Sequence, residues 1–97
     1  MTPTIQDLIN CKSIIEAAAK EFGASDVRIF GSVARGTATE GSDVDVLVKM
    51  ERGRSLLDLI GFEQALEDQL GIKVDVVEEG GIHPLLQKTI LSEAKRL

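Results

Sequence analysis

The chain has 97 residues and a net charge of −5, from sixteen acidic and eleven basic side chains. That length suits one domain over residues 1–97, and that charge argues against general affinity for nucleic acid, which needs a basic face for phosphate contacts. With no Trp and no Tyr the chain also lacks base-stacking platforms, and its one cysteine, Cys11, excludes an internal disulfide. No apolar run approaches the ~20 residues that span a bilayer, and the first residues lack a basic segment followed by an apolar one. The expectation is a cytoplasmic protein with no membrane contact.

In chain order, Thr4-x-x-Asp7 reads as a capping box that opens a first helix, with Asp in place of the usual Glu or Gln. Leu8, Cys11, Ile15, Ala18 and Phe22 recur at spacings of 3, 4, 3 and 4, the apolar stripe of an amphipathic helix, and Gly23 ends it. Cys11 on that stripe reads as a small buried hydrophobe before a reactive thiol. Strands are expected over about Asp26 to Phe30 and about Asp43 to Met50, both rich in strand-favouring residues. Arg52-Gly53-Arg54 reads as a solvated loop. Ser55, with Asp58 three residues on, opens a second long helix whose stripe is Leu56, Leu59, Phe62, Leu66 and Leu70, ended by Gly71.

Ile72 to Val77 is the third strand, and Glu78 to Gly81 a turn. Pro84 starts a final helix with Leu86, Ile90, Ala94 and Leu97 on one face. His83, the single histidine, suits a cap or the surface better than catalysis. The sum is an α/β (α+β) fold in the order helix, strand, short helix, strand, helix, strand, helix. Its small mixed sheet has three strands, one face covered by helices and the other open.

The chemistry concentrates between the first two strands. Gly31-Ser32, ten residues, then Asp43-x-Asp45 follows the pattern G-S-x10-D-x-D. Side chains alternate along a strand, so Asp43 and Asp45 share a face about 7 Å apart. A short helix over Ser32 to Arg35 would offer free N–H groups to a phosphate. An acidic protein that handles phosphates needs a metal ion between the two negative charges. Asp75 stands in Val74-x-Val76, where burial of an unpaired carboxylate would cost several kcal/mol. If the third strand lies beside the second, Asp75 joins Asp43 and Asp45, and three carboxylates that close together suit Mg²⁺. Two other motifs fail. Thr37-Ala38 stands where a P-loop requires Lys-Ser/Thr, and the glycine and closing Glu of an EF-hand are absent at their spacings.

Gly31-Ser32-x-x-Arg35-Gly36, Ser42-Asp43-x-Asp45 and Val74-Asp75-Val76 together resemble the nucleotidyltransferase superfamily that includes DNA polymerase beta. The small size resembles the minimal nucleotidyltransferases encoded beside HEPN-domain toxins in prokaryotes. The resemblance implies that Asp43 and Asp45 bind two metal ions, that Asp75 serves the metal that activates the nucleophile, and that Gly31 and Ser32 hold the phosphates of ATP. In that setting Gly31 lets the backbone approach the triphosphate, and Ser32 offers a hydroxyl and an amide. Arg35 either neutralises leaving-group charge or forms an ordinary salt bridge. Ser42 reads first as a turn former and second as a nucleotide contact. The implied function is an antitoxin that transfers AMP from ATP to a tyrosine of a cognate HEPN ribonuclease, with Mg²⁺. Homo- or hetero-oligomers are both compatible with it. A non-catalytic antitoxin acting by contact is the alternative, and an aminoglycoside-type enzyme the third reading. The acid triad favours catalysis, and the lack of an acceptor-binding domain counts against the small-molecule enzyme.

Overall fold

The computed structural model describes residues 2–97. The first helical stretch is two helices, α1 (Ile5–Asn10) and α2 (Lys12–Phe22), where the apolar spacing predicted one. The capping box forms: Thr4 Oγ1 accepts from the Asp7 N–H at 3.2 Å, and the Asp7 carboxylate accepts from the Thr4 N–H at 3.0 Å. At Cys11 the backbone N–H turns back to the Leu8 carbonyl at 3.1 Å, which closes α1. The stripe survives the break, with Leu8 and Ile15 buried and Cys11, Ala18 and Phe22 partly buried against the same core. A periodic stripe reports which face is apolar, and a one-residue kink that preserves the face leaves no mark on it.

The chain continues through β1 (Ala24–Phe30), α3 (Gly31–Arg35), β2 (Val44–Met50), α4 (Leu56–Leu70) and β3 (Val74–Glu78). A 3-10 turn at Glu79–Gly81, α5 (Pro84–Glu93) and β4 (Lys95–Arg96) complete it. The strands order as β3-β2-β1-β4, with β2 antiparallel to β1 and parallel to β3. A parallel pair needs a long crossover, and α4 supplies it. Arg52-Gly53-Arg54 is the exposed loop expected of it, and from that loop Arg54 also braces the start of α4. It bonds Glu51 at 3.2 Å, Asp58 at 3.3 Å and the Glu21 carbonyl at 3.4 Å.

The mixed sheet has four strands among the described residues, not three. The final helix stops at Glu93, and Lys95 and Arg96 pair with Ile29 and Arg28 on the free edge of β1. An edge strand presents unpaired N–H and C=O groups, and two residues of β4 satisfy some of them at the cost of one helical turn. The expected apolar face of that helix is corrected accordingly. Ile90 and Ala94 pack inward, Leu97 joins the main core from outside the helix, and Leu86 is 55% exposed.

Alternation along the strands sorts the core into two layers. Ile29, Val44, Val46, Val48, Val74 and Val76 face α1, α2 and α4, where Leu8, Ile15, Phe62 and Leu66 meet them. Phe30 and Leu47 point the other way and meet Ile82, Ile90 and Ala94. The second face is therefore not fully open, because α5 lies on its middle. Asp45 sits on this face two residues before Leu47, beyond that small cluster.

Candidate active site

The site starts where β1 ends. Phe30 pairs with Asp45 across β1 and β2, so the next residue, Gly31, lands against the Asp45 side chain. Gly31 adopts φ +72°, and a Cβ added there would lie 3.1 Å from Asp45 Cγ and nearer still to its Oδ2. Glycine is required twice over, for the left-handed backbone and for the room. On the other side of β2, Asp45 is in register with Asp75 of β3. Neighbouring strands run about 4.8 Å apart, so the two residues lie side by side on one face near the end of the sheet.

Two details differ from expectation. Asp43 precedes β2 instead of lying in it, so the strand alternation does not govern its direction. Asp75 is exposed on an edge strand, so the burial cost expected for it does not arise. All three acids remain within electrostatic reach. Burial holds the Asp45 carboxyl above its ordinary value, and the charges of Asp75 and Asp43 push it the same way. Arg35 opposes them, while Glu93 adds to the rise.

Such a site favours a hard cation. Its donors are all carboxylate oxygens, and a divalent ion would relieve the crowding that raises Asp45. Among the described residues, no three His, Cys, Asp or Glu side chains stand close enough to enclose a metal ion unaided. Donors from a bound phosphate would complete the shell, as they do for Mg²⁺ at triphosphates.

Comparison with known proteins follows the same line. The family model for the nucleotidyltransferase domain matches residues 11–97. The chain belongs to that family. A Methanocaldococcus jannaschii protein, provisionally named a protein adenylyltransferase, is 49% identical over 72 residues, 74% of this chain and 77% of that one. The protein adenylyltransferase MntA of Thermococcus cleftensis is 43% identical over 86 residues, 84% of this chain and 87% of its own. A solved structure, provisionally named a minimal nucleotidyltransferase, superposes with a TM-score of 0.86 at 43% identity, covering 98% of this chain and 97% of the other. A toxin–antitoxin structure with AMP-PNP shares the fold, with a TM-score of 0.75 at 21% identity over 88% of this chain and 70% of that one. The resemblance to minimal nucleotidyltransferases and the mixed α/β fold it implied are both borne out.

Within this nucleotidyltransferase the other expected residues separate. Ser32 follows Gly31 in the first turn of α3, half-buried, and its carbonyl accepts from the Thr37 N–H at 2.9 Å. Ser42 takes the turn-forming role: its Oγ accepts from the Thr39 N–H at 2.9 Å, and its own N–H donates to the Thr39 carbonyl at 3.0 Å. His83 caps α5, its Nδ1 accepting from the Leu85 N–H at 3.1 Å. Arg35 forms a salt bridge to Glu93 at 3.0 Å.

Sequence reasoning missed Glu93, and it missed two further groups. Asp26, at φ +51°, accepts from Arg96 Nε at 2.8 Å, while Arg28 beside it is 6% exposed and bonds Glu79 at 2.6 Å. The available signal was a charged residue between Val27 and Ile29. On the edge of β3, the Val74 and Val76 N–H groups donate to Glu67 at 3.0 Å and Glu63 at 2.9 Å. Two α4 carboxylates thus cap an edge that would otherwise recruit another strand.

Proposed function

We propose that this nucleotidyltransferase is an antitoxin that transfers AMP from ATP to a tyrosine of a cognate HEPN ribonuclease toxin and releases pyrophosphate. The observation that carries the reading is the contact between Gly31 and Asp45 with Asp75 in register beside them. It sets a turn that admits a phosphate against carboxylates that admit cations. Homology to proteins named protein adenylyltransferases supports the AMP group, and the shared fold of the toxin–antitoxin structures supports the setting.

In this reading Gly31 lets the backbone approach the triphosphate, and the Ser32 hydroxyl and amide bind it. Asp43, Asp45 and Asp75 would hold two Mg²⁺ ions, which when bound offset charge on the attacking and leaving oxygens. The phenolic hydroxyl gives its proton to a carboxylate of the site, its oxygen bonds to the α-phosphorus, and the opposite bond to the bridging oxygen breaks in line as pyrophosphate departs. Little covalent chemistry is left to the protein, so orientation of the two substrates supplies most of the rate. The chain contains no tyrosine, so tyrosine-directed transfer has to label a partner. Enzyme and HEPN protein would meet in the cytoplasm as a hetero-oligomer.

The test uses labelled ATP, Mg²⁺ and the cognate HEPN protein. Label is expected on the partner alone, at a tyrosine by mass spectrometry, and Asp43→Asn should prevent it. An active preparation that silences the partner by tight binding, without modifying it, would establish the contact-only antitoxin instead.

A further inference from the structure

Arg35 closes α3, Glu93 closes α5, and the two side chains meet beside the acids. Arg35 Nη1 donates to both Glu93 carboxylate oxygens, at 3.0 and 3.1 Å. Among the described residues nothing accepts from Arg35 Nε or Nη2. One edge of the guanidinium is therefore held, and the other keeps the fork that matches a phosphate. Glu93 comes three residues after Ile90 and one before Ala94, on the helix face that rests on Phe30 and Leu47. Phe30 is the residue paired with Asp45, so the contact that seats α5 also brings Glu93 to the site. Both side chains lie close enough to Asp45 for their charges to act on its carboxylate.

Stability does not account for the pair. The Arg35 side chain is 49% exposed, and ion pairs this open contribute little to folding. A long, rotamer-rich side chain that must meet a reacting phosphate does gain from being held beforehand, because the ordering cost is met before the reaction starts.

We propose that Glu93 is a positioning residue for adenylyl transfer, holding Arg35 by one edge so that its free edge meets the triphosphate. This rests on the adenylyltransferase reading of the site. Glu93 also partly offsets the charge of Arg35, so it aims the guanidinium without strengthening ground-state attraction to ATP. That combination has a kinetic signature. Glu93→Gln keeps the shape and loses the clamp, so kcat should fall about tenfold or more while KM for ATP stays within about twofold or drops.

The experiment measures kcat and KM with labelled ATP and the HEPN partner for wild type, Glu93→Gln, Arg35→Lys and the double variant, with a thermal melt of each. Arg35→Lys should lower kcat by itself, because an ammonium lacks the fork, and in that background Glu93→Gln should cost less than about twofold. All four should melt together. Unchanged kcat in Glu93→Gln, a rise confined to KM, or equal losses in both backgrounds would overturn the proposal and leave the transferase reading standing. If wild type itself transfers no AMP, the transferase reading fails and takes the proposal with it.

Discussion

Replacing Gly31 by Ala tests the contact on which the site is built. The residue sits at φ +72°, a conformation that costs a Cβ-bearing residue roughly 1–2 kcal/mol. The new methyl would also meet the Asp45 carboxylate, which has to leave its rotamer at roughly 0.5–1.5 kcal/mol more. The loss should be about 2–3 kcal/mol, which for a domain of this size is roughly 10–20 °C in Tm. Gly71→Ala is the matched control. Gly71 has φ +69°, and a Cβ there finds nothing within 4 Å. It pays the backbone cost alone, so the two variants should differ by about 1 kcal/mol, or roughly 4–8 °C. Activity separates them further: Gly71→Ala should transfer AMP like wild type, whereas a displacement of Asp45 by about 1 Å should cost Gly31→Ala about a hundredfold. Thermal melts read the first difference and labelled-ATP transfer the second. Equal melting temperatures together with full transfer by Gly31→Ala would refute the argument that Gly31 and Asp45 form one unit.

Four further outcomes are expected. Asp45→Asn should abolish transfer, yet leave the ligand-free protein as stable or more stable at pH 7. The folded carboxyl is raised, so the folded state loses stability as pH rises through that value, and the gain seen in urea melts should fade toward about pH 4. Asp26 behaves oppositely: the hydrogen bond from Arg96 leads the causes that lower its carboxyl, so its contribution holds at neutral pH and is lost as pH falls through the folded value. Urea melts of wild type and Asp26→Asn should converge in acid, since Asn tolerates the same backbone, and parallel curves would count against the network. Glu63→Ala frees the Val76 N–H and should cost about 1–2 kcal/mol, and adding Glu67→Ala should raise light scattering at native pH as the edge opens. ATP with Mg²⁺ at 100 times Kd should stabilise the fold by about 2.7 kcal/mol, and thermal melts with millimolar amounts of both and no shift would weigh heavily against the site.

Much of the molecule is legible residue by residue, because the interactions concerned are local. Thr4 with Asp7 and Ser55 with Asp58 announce helix starts, since the groups they satisfy lie three residues away. The stripes through Ile15 and through Phe62 declare which faces are buried, and the small residues at Gly31 and Ser32 mark the turn between strands. Spacing alone placed two acids after a glycine turn and a third in a later strand, and that is enough to suggest phosphate chemistry. What the spacing cannot contain is register. That Asp75 falls opposite Asp45, that Phe30 brings Gly31 to Asp45, and that Arg35 meets Glu93 across 58 residues all depend on which segments pair and how far they slide. Those choices are made by the whole core at once. The same holds for the edge position that leaves Asp75 exposed, and for the two residues after α5 that abandon the helix to pair with β1. Helical periodicity is a property of one segment and its neighbours in sequence. A strand's place in a sheet is a property of its neighbours in space, and only the folded chain supplies them.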